Sequence, residues 1–376
     1  NIYIYIYIFM NYKQKYLKYK QKYNYLKNIN QFGGLKQNTI HIYNGGSFSP
    51  VTLAHQQICI DTIEFIMSHF KDTVIDTIIL HLVPTSDFYE KQSVKSECIS
   101  FEDRKEMVEI MAENVRENIE LITKPKPYEL KVIVNDIEQR IAYTDKLDGS
   151  GKNGYIGTYR YLNKFAEEYD CIPENIYLLF GLDNANSLVT SIANSTGSFK
   201  RWKNSLHLVS KFKFLIYPRS GSHINYLDLC CSFNNNLKLF NSNPDGQEEI
   251  NFTHGNNGLE DINSELDYFL RSPIEFMKNN FIEISNSKGN ESGDSIALAE
   301  ISSSNIRKVL YDYSEFSIEE NIINENLSNI DPKLLIKIKN LYKNGSVCEG
   351  EEKFDIITKS IPNDWKKNKS VKIGKI

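Results

Sequence analysis

From residue 38 onward the chain alternates short, β-prone apolar runs with longer helix-patterned stretches, and this alternation limits the folds open to it. The run "TIHIY" (39–43) precedes "LAHQQICIDTIEFIMSHF" (53–70), and "VIDTIILHLVP" (74–84) precedes "FEDRKEMVEIMAENV" (101–115). Next, "LKVIVND" (130–136) precedes "GTYRYLNKFAEEY" (157–169). Then "NIYLLFG" (175–181) leads into a helix over 183–190, and "FKFLIYPRSG" (212–221) follows. Strands separated by helices pair in parallel, so the pattern predicts an α/β fold with a doubly wound parallel sheet. In such sheets ligands sit beyond the carboxyl ends of the strands, which makes the loops leaving each strand the places to inspect.

The flanks read differently. Residues 1–37 form a Lys/Tyr-rich leader, expected to be poorly ordered. Its "NIYIYIYIFM" start is either upstream sequence read as protein, since Met10 is the first methionine, or a short edge strand. Tyr12, Tyr16, Tyr19, Tyr23 and Leu26 then make a short heptad stripe among six lysines. That stripe reads as a brief coiled coil, an interfacial helix on an anionic surface, or a solvated tail. In composition the leader resembles those heading many proteins of giant DNA viruses. Residues 38–344 are expected to hold the folded domain, with a flexible, Asn- and Gly-rich insertion at about 230–280. Its final piece comprises "FIEISNS" (281–287), "EISSSNIRKVLYDY" (300–313) and "DPKLLIKIKNLYKN" (331–344), and 345–376 is a polar tail.

With 24% charged and 41% hydrophobic residues, 376 residues can build a sizeable core. A formal net charge of −4 argues against a general nucleic-acid binder. The six cysteines are scattered, with no C-x-x-C pair and no zinc-ligand spacing. With no secretory signal and no apolar run of about 18 residues, the expectation is free thiols, no transmembrane segment, and an intracellular location, cytoplasmic or nuclear.

Two stretches carry chemistry. The first is "NGGSFSPVTLAH" (44–55), where glycines follow a strand and a histidine stands in the first turn of the next helix. Glycines let backbone amides approach a ligand, and a helix N-terminus favours anions. The guest this suits is a phosphate, although a structural turn and a capping His55 are the plainer readings. The second is "ISSSNIRKVL" (301–310), where serines cap a helix and Arg307 and Lys308 follow within about its first turn. A plain Ser-capped surface helix accounts for the serines but not for this charge placement, since basic residues at a helix start are unfavourable without an anion. A pair of such helix starts suits a triphosphate.

These motifs resemble a known family. "GSFSPVTLAH" is similar to the G-S-F-N-P-x-T-x-x-H motif of eukaryotic-type nicotinamide mononucleotide (NMN) adenylyltransferases, and "ISSSNIRKVL" to their I-S-S-T-x-I-R-R motif. In the H-x-G-H signature of the wider nucleotidylyltransferase superfamily, Thr52 takes the place of the first histidine and Ala54 that of the glycine. Shorter segments follow in order. "VPTSDFYEKQS" resembles S-P-V-G-D-A-Y-K-K-K at Tyr89 and Lys91, with Glu90 departing from a lysine, and "FEDRKEMVEIMAE" matches H-R-x-x-M-A-E at Arg104. "YIGTYRYLNKF" resembles W-K-E-T-L-K-V-L at Tyr155 and Thr158, with tyrosine replacing tryptophan. "LLFGLDNANSL" matches L-L-C-G-A-D at Gly181 and Asp183. "FKRWKN" supplies Trp202 after a longer gap than usual, and "YPRSG" matches V-T-R-A-G at Arg219.

The resemblance implies a Rossmann-like nucleotidylyltransferase fold that joins ATP to NMN, with nicotinate mononucleotide as a further acceptor, forming NAD and pyrophosphate. The alternatives are a related transferase with another phosphate acceptor and a non-catalytic nucleotide-binding module. It implies His55 and Arg307 as the catalytic pair, both binding phosphate. The amides of Gly46, Ser47 and Phe48, with Ser303 and Ser304, would hold ATP phosphates. Gly181, Asp183 and Arg219 are assigned to ATP, with a turn aspartate and a surface ion pair as the competing views for the last two. Tyr89, Lys91, Tyr155, Thr158 and Trp202 are assigned to NMN, with core packing the competing view for the aromatic pair. Mg²⁺ would arrive bound mainly through ATP, with no dedicated protein ligands. Family members commonly form homo-oligomers.

Overall fold

The computed structural model describes residues 38–70, 75–87, 99–122, 128–147, 157–190, 202, 205–218, 223–241, 268–284 and 331. Six strands form a sheet in the order β3-β2-β1-β4-β5-β6, every pair parallel. They are β1 (Thr39–Gly46), β2 (Thr77–Pro84), β3 (Glu129–Val134), β4 (Ile176–Gly181), β5 (Lys213–Tyr217) and β6 (Phe281–Glu283). The helices are α1 (Leu53–His69), α2 (Phe101–Ile122), α3 (Ile137–Leu147), α4 (Thr158–Tyr169), α5 (Leu182–Thr190), α6 (Ser205–Lys211), α7 (Tyr226–Asn241) and α8 (Pro273–Asn280). This is the doubly wound, Rossmann-like order. Its direction reverses between β1 and β4, where His41, Ile42 and Tyr43 pair with Ile176, Tyr177 and Leu178.

Both faces of the sheet are covered, which is why the central strands read as nearly unbroken apolar runs. On one face Ile42, Leu80 and Leu82 pack with Ile63 of α1 and Met107 and Val115 of α2. On the other, Tyr43, Leu178, Phe214 and Ile216 pack with Phe165 of α4, Leu188 of α5 and Phe233 of α7. Each such fully buried side chain contributes about 1.5–3 kcal/mol.

The stretch read as an insertion is partly core. Residues 230–241 belong to α7, whose Leu229, Cys230, Phe233 and Leu237 are buried. Phe269, Phe276 and Met277 are buried as well. The apolar residues of α7 recur at helical spacing, but a run of three asparagines between them masks the period. The apolar pattern marks no helix at α3, α6 or α8, which the structure adds. Cys59, Cys171, Cys230 and Cys231 are free thiols. Among the described residues no helix is long and apolar enough to cross a membrane.

Candidate functional site

β1 ends on Gly45 and Gly46, extended and paired with Val83 and Pro84 of β2. The glycines have a packing reason beyond clearance for a ligand. A Cβ on Gly45 would stand 3.0 Å from the Tyr43 ring, and one on Gly46 3.3 Å from the Phe48 ring. The left-handed residue of the loop is not a glycine but Phe48, at φ 47°. Its ring is 1% exposed. Packing therefore holds a backbone conformation that a non-glycine residue rarely adopts, a kind of strain that clusters at functional sites.

Arg104, matched to a family motif by sequence, anchors this loop. Arg104 Nη1 donates to the Ser47 carbonyl at 3.1 Å, and Nη2 donates to Asp87 Oδ1 at 2.7 Å. Asp87 Oδ2 accepts from the Phe101 backbone N–H at 2.8 Å. Gln139 Oε1 in turn accepts from the Ser86 hydroxyl at 2.8 Å and from the Asp87 N–H at 3.0 Å. The loops leaving β1 and β2 are thus locked to each other and to the starts of α2 and α3. Arg104 and Asp87 are both fully buried, so the loss of either would strand the other's charge.

Helix α1 begins at a capping box. Thr52 is the N-cap, and its hydroxyl oxygen accepts from the His55 backbone N–H at 3.4 Å. In return His55 Nδ1 accepts from the Thr52 backbone N–H at 3.1 Å and lies 2.7 Å from the Thr52 hydroxyl. A backbone N–H can only donate, so Nδ1 is the acceptor and the neutral ring carries its proton on Nε2. Burial pulls the imidazole down to about 4, so it is neutral at pH 7. His55 is a hydrogen-bond donor through Nε2 and has no vacant basic nitrogen. The box is a T-x-x-H variant of the usual S/T-x-x-E/Q pattern.

Next to β1 across the switch point, β4 ends at Gly181, where an added Cβ would meet nothing within 4 Å. Asp183 follows, exposed in the first turn of α5. Thr158 opens α4, which runs antiparallel to the strands. Tyr169 at its far end lies 5.5 Å from the ring of His41 near the start of β1, and Phe165 lies 5.6 Å from Tyr43 nearer the strand's end. Thr158 therefore belongs to the carboxyl edge. The structure brings Gly46, Ser47, Phe48, His55, Gly181, Asp183 and Thr158 to that one edge. Trp202 packs against Phe180 of β4 with centroids 5.7 Å apart, which engages it with the core. Tyr89, Lys91, Tyr155, Arg219, Ser303, Ser304 and Arg307 lie outside the described residues. Among the described residues no group of three or more His, Cys, Asp or Glu side chains could hold a metal ion.

Sequence reasoning passed over Glu138, in the first turn of α3. Its Oε1 accepts from the Tyr43 hydroxyl at 2.7 Å and would stand 3.7 Å from a Cβ on Gly45. Burial pushes this carboxyl up to about 7, against the opposing pull of the Tyr43 hydroxyl, the Ser86 backbone N–H and the Arg104 charge. An acidic residue just past a strand was the only local signal.

Two solved structures similar to this chain are of Plasmodium falciparum nicotinic acid mononucleotide adenylyltransferase, one complexed with NaAD and one with APC. Each is 19% identical and covers 81% of this chain, with a TM-score of 0.40, and the matches span 97% and 96% of those chains. No family model and no curated protein matches the chain.

Proposed function

We propose that this chain is a nucleotidylyltransferase that transfers the adenylyl group of ATP to NMN, with nicotinate mononucleotide as a second acceptor, forming the dinucleotide and pyrophosphate. The observation that carries the reading is His55. It stands in the first turn of α1, beside the switch point, at the end of the stretch "GSFSPVTLAH", with its Nδ1 filled by Thr52 and its one proton on Nε2.

A nucleotide phosphate has a second pKa near about 6 and is anionic at neutral pH, so the attacking oxygen needs no general base. The task is to hold two repelling anions in line and to stabilise charge on the leaving pyrophosphate. A neutral N–H donor at a helix N-terminus, on a loop locked by Arg104, serves that task. Arg307 with Ser303 and Ser304 is assigned to the outer phosphates, and Gly181, Asp183 and Arg219 to the ATP side. Tyr89, Lys91, Tyr155, Thr158 and Trp202 are assigned to NMN, with the aromatic pair stacking on the cationic ring. Mg²⁺ fits as an ion carried by ATP's own oxygens and water, since it keeps much of its hydration shell.

The test is pyrophosphate release from ATP and Mg²⁺ with NMN, nicotinate mononucleotide, a pantetheine phosphate and a sugar phosphate offered separately. Release with the pyridine mononucleotides is expected. Release only with another phosphate selects a related transferase, and binding without release selects a non-catalytic module. Either outcome overturns the proposal.

A further inference from the structure

Resting on the reading above, we infer that Glu138 is a specificity residue on the acceptor side of the site, where its carboxylate receives the carboxamide of NMN and disfavours the carboxylate of nicotinate mononucleotide. Three observations carry it.

The first is position. Glu138 stands where the loops after β1, β2 and β3 meet, beside Gly45 and within reach of the Ser86 backbone N–H. This lies on the far side of β1 from Gly181 and β4. The residues assigned to the phosphates and to ATP lie along β1 and β4, and Glu138 stands on the β2 side of β1, in the other half of the edge. Thr158, assigned to the acceptor, opens α4, whose Tyr161 is close enough to Tyr43 to act on its hydroxyl.

The second is pairing. Among the described residues Glu138 forms no ion pair. The nearby cation, Arg104, is engaged by Asp87 and the Ser47 carbonyl. A carboxylate has about four acceptor positions. The Tyr43 hydroxyl and the Ser86 N–H take two of them. A structural acid in so sheltered a place is ordinarily paired with a cation.

The third is chemistry. An ionised carboxyl accepts hydrogen bonds only, which suits an amide N–H and repels a second carboxylate. Protonated, it becomes a donor and the discrimination vanishes. The charged and titratable groups that act on it are Tyr43 on β1 and Arg104 on α2; beyond them Tyr161 of α4 acts on Tyr43, Asp87 after β2 pairs with Arg104, and Arg140 on α3 itself pairs with Asp136 and Glu168. With the carboxyl held at about 7, the choice between acceptors is expected to change across neutral pH.

The experiment compares kcat/KM for the two mononucleotides between pH 6 and 8.5, in the full chain and in Glu138→Gln and Tyr43→Phe. Both acceptors carry the same titrating phosphate, so it cancels in their ratio. The wild type is expected to favour NMN at pH 8 and to lose that preference as pH falls through about 7. Glu138→Gln, which can still accept from Tyr43, should give a pH-independent ratio, shifted toward nicotinate mononucleotide by about tenfold through KM. Tyr43→Phe removes a bond that favours the ionised acid and should move the wild-type transition to higher pH. An unchanged ratio and pH profile in Glu138→Gln, or an equal loss with both acceptors, overturns the inference while leaving the activity standing. A wild type that releases pyrophosphate with neither mononucleotide overturns the underlying reading and the inference with it.

Discussion

The backbone N–H of Thr52 donates to Nδ1 of His55 across 3.1 Å, and this bond fixes the chemistry open to the imidazole. Protonating Nδ1 would set two N–H groups against each other at the start of α1. The ring is therefore held neutral, with one proton on Nε2.

His55→Ala is expected to lower turnover by about two to four orders of magnitude while the fold persists. Burial holds the ring at about 4, so protonation begins to matter only as pH falls toward that value. Between pH 5.5 and 8 the ratio of wild-type to His55→Gln turnover should stay flat. A step near pH 6.5 that disappears in the variant would mark His55 as a base instead.

Thr52→Val keeps the backbone donor and removes the hydroxyl cap. Urea denaturation should show a loss of about 1 kcal/mol. Turnover should fall more than affinity for either substrate, because the imidazole loses one of the two groups that orient it. Unchanged turnover would show that the hydroxyl does not help to place the ring.

Arg104→Met leaves the Asp87 carboxylate buried without its cation and releases the Ser47 carbonyl. A loss of about 3–5 kcal/mol is expected. Adding Asp87→Asn should recover part of it, since the stranded charge is then gone. Additive losses in chemical denaturation would refute the coupling.

His41 and His81 form a buried pair on the face of the sheet covered by α4, with His41 Nδ1 3.1 Å from His81 Nε2. Asn135 Oδ1 accepts from the Ile137 N–H, so its amide nitrogen faces His81 Nδ1 at 3.3 Å. His81 then donates from Nε2 to His41, and both rings are neutral. Burial lowers His41 to about 4 and His81 well below its ordinary value. The unfolded chain binds protons below about pH 6.5 that the folded one refuses, so stability is full above that pH and falls as pH drops toward 4. Replacing both rings by glutamine should reduce this slope, which reaches about 1.4 kcal/mol per pH unit for each histidine, to the part that His55, also held at about 4, contributes. An unaltered slope would place the acid sensitivity elsewhere.

Gly45→Ala and Gly181→Ala separate packing from binding. The first sets a methyl group 3.0 Å from the Tyr43 ring and should destabilise the fold. The second meets open space and should leave thermal stability unchanged or slightly raised. If ATP approaches the end of β4, Gly181→Ala should still raise its KM. An unchanged KM would remove Gly181 from the ATP side.

The period of the apolar runs is local, and it was enough to determine an α/β chain with parallel strands and to point at the loop holding Gly46 and His55. The Asn-rich face of α7 hid its buried stripe, because polar side chains on the exposed side outweigh a short apolar period. Strand order is not local. Only the placing of β4 beside β1 put Gly181 and Asp183 at the same edge as His55. The tertiary structure alone also decided that Tyr43 meets Glu138, 95 residues away, and that Arg104 clamps the carbonyl of Ser47, 57 residues away. A carboxylate or a guanidinium in a sequence carries a charge but no address. Its partner, its burial and its protonation follow from which loops the sheet brings together.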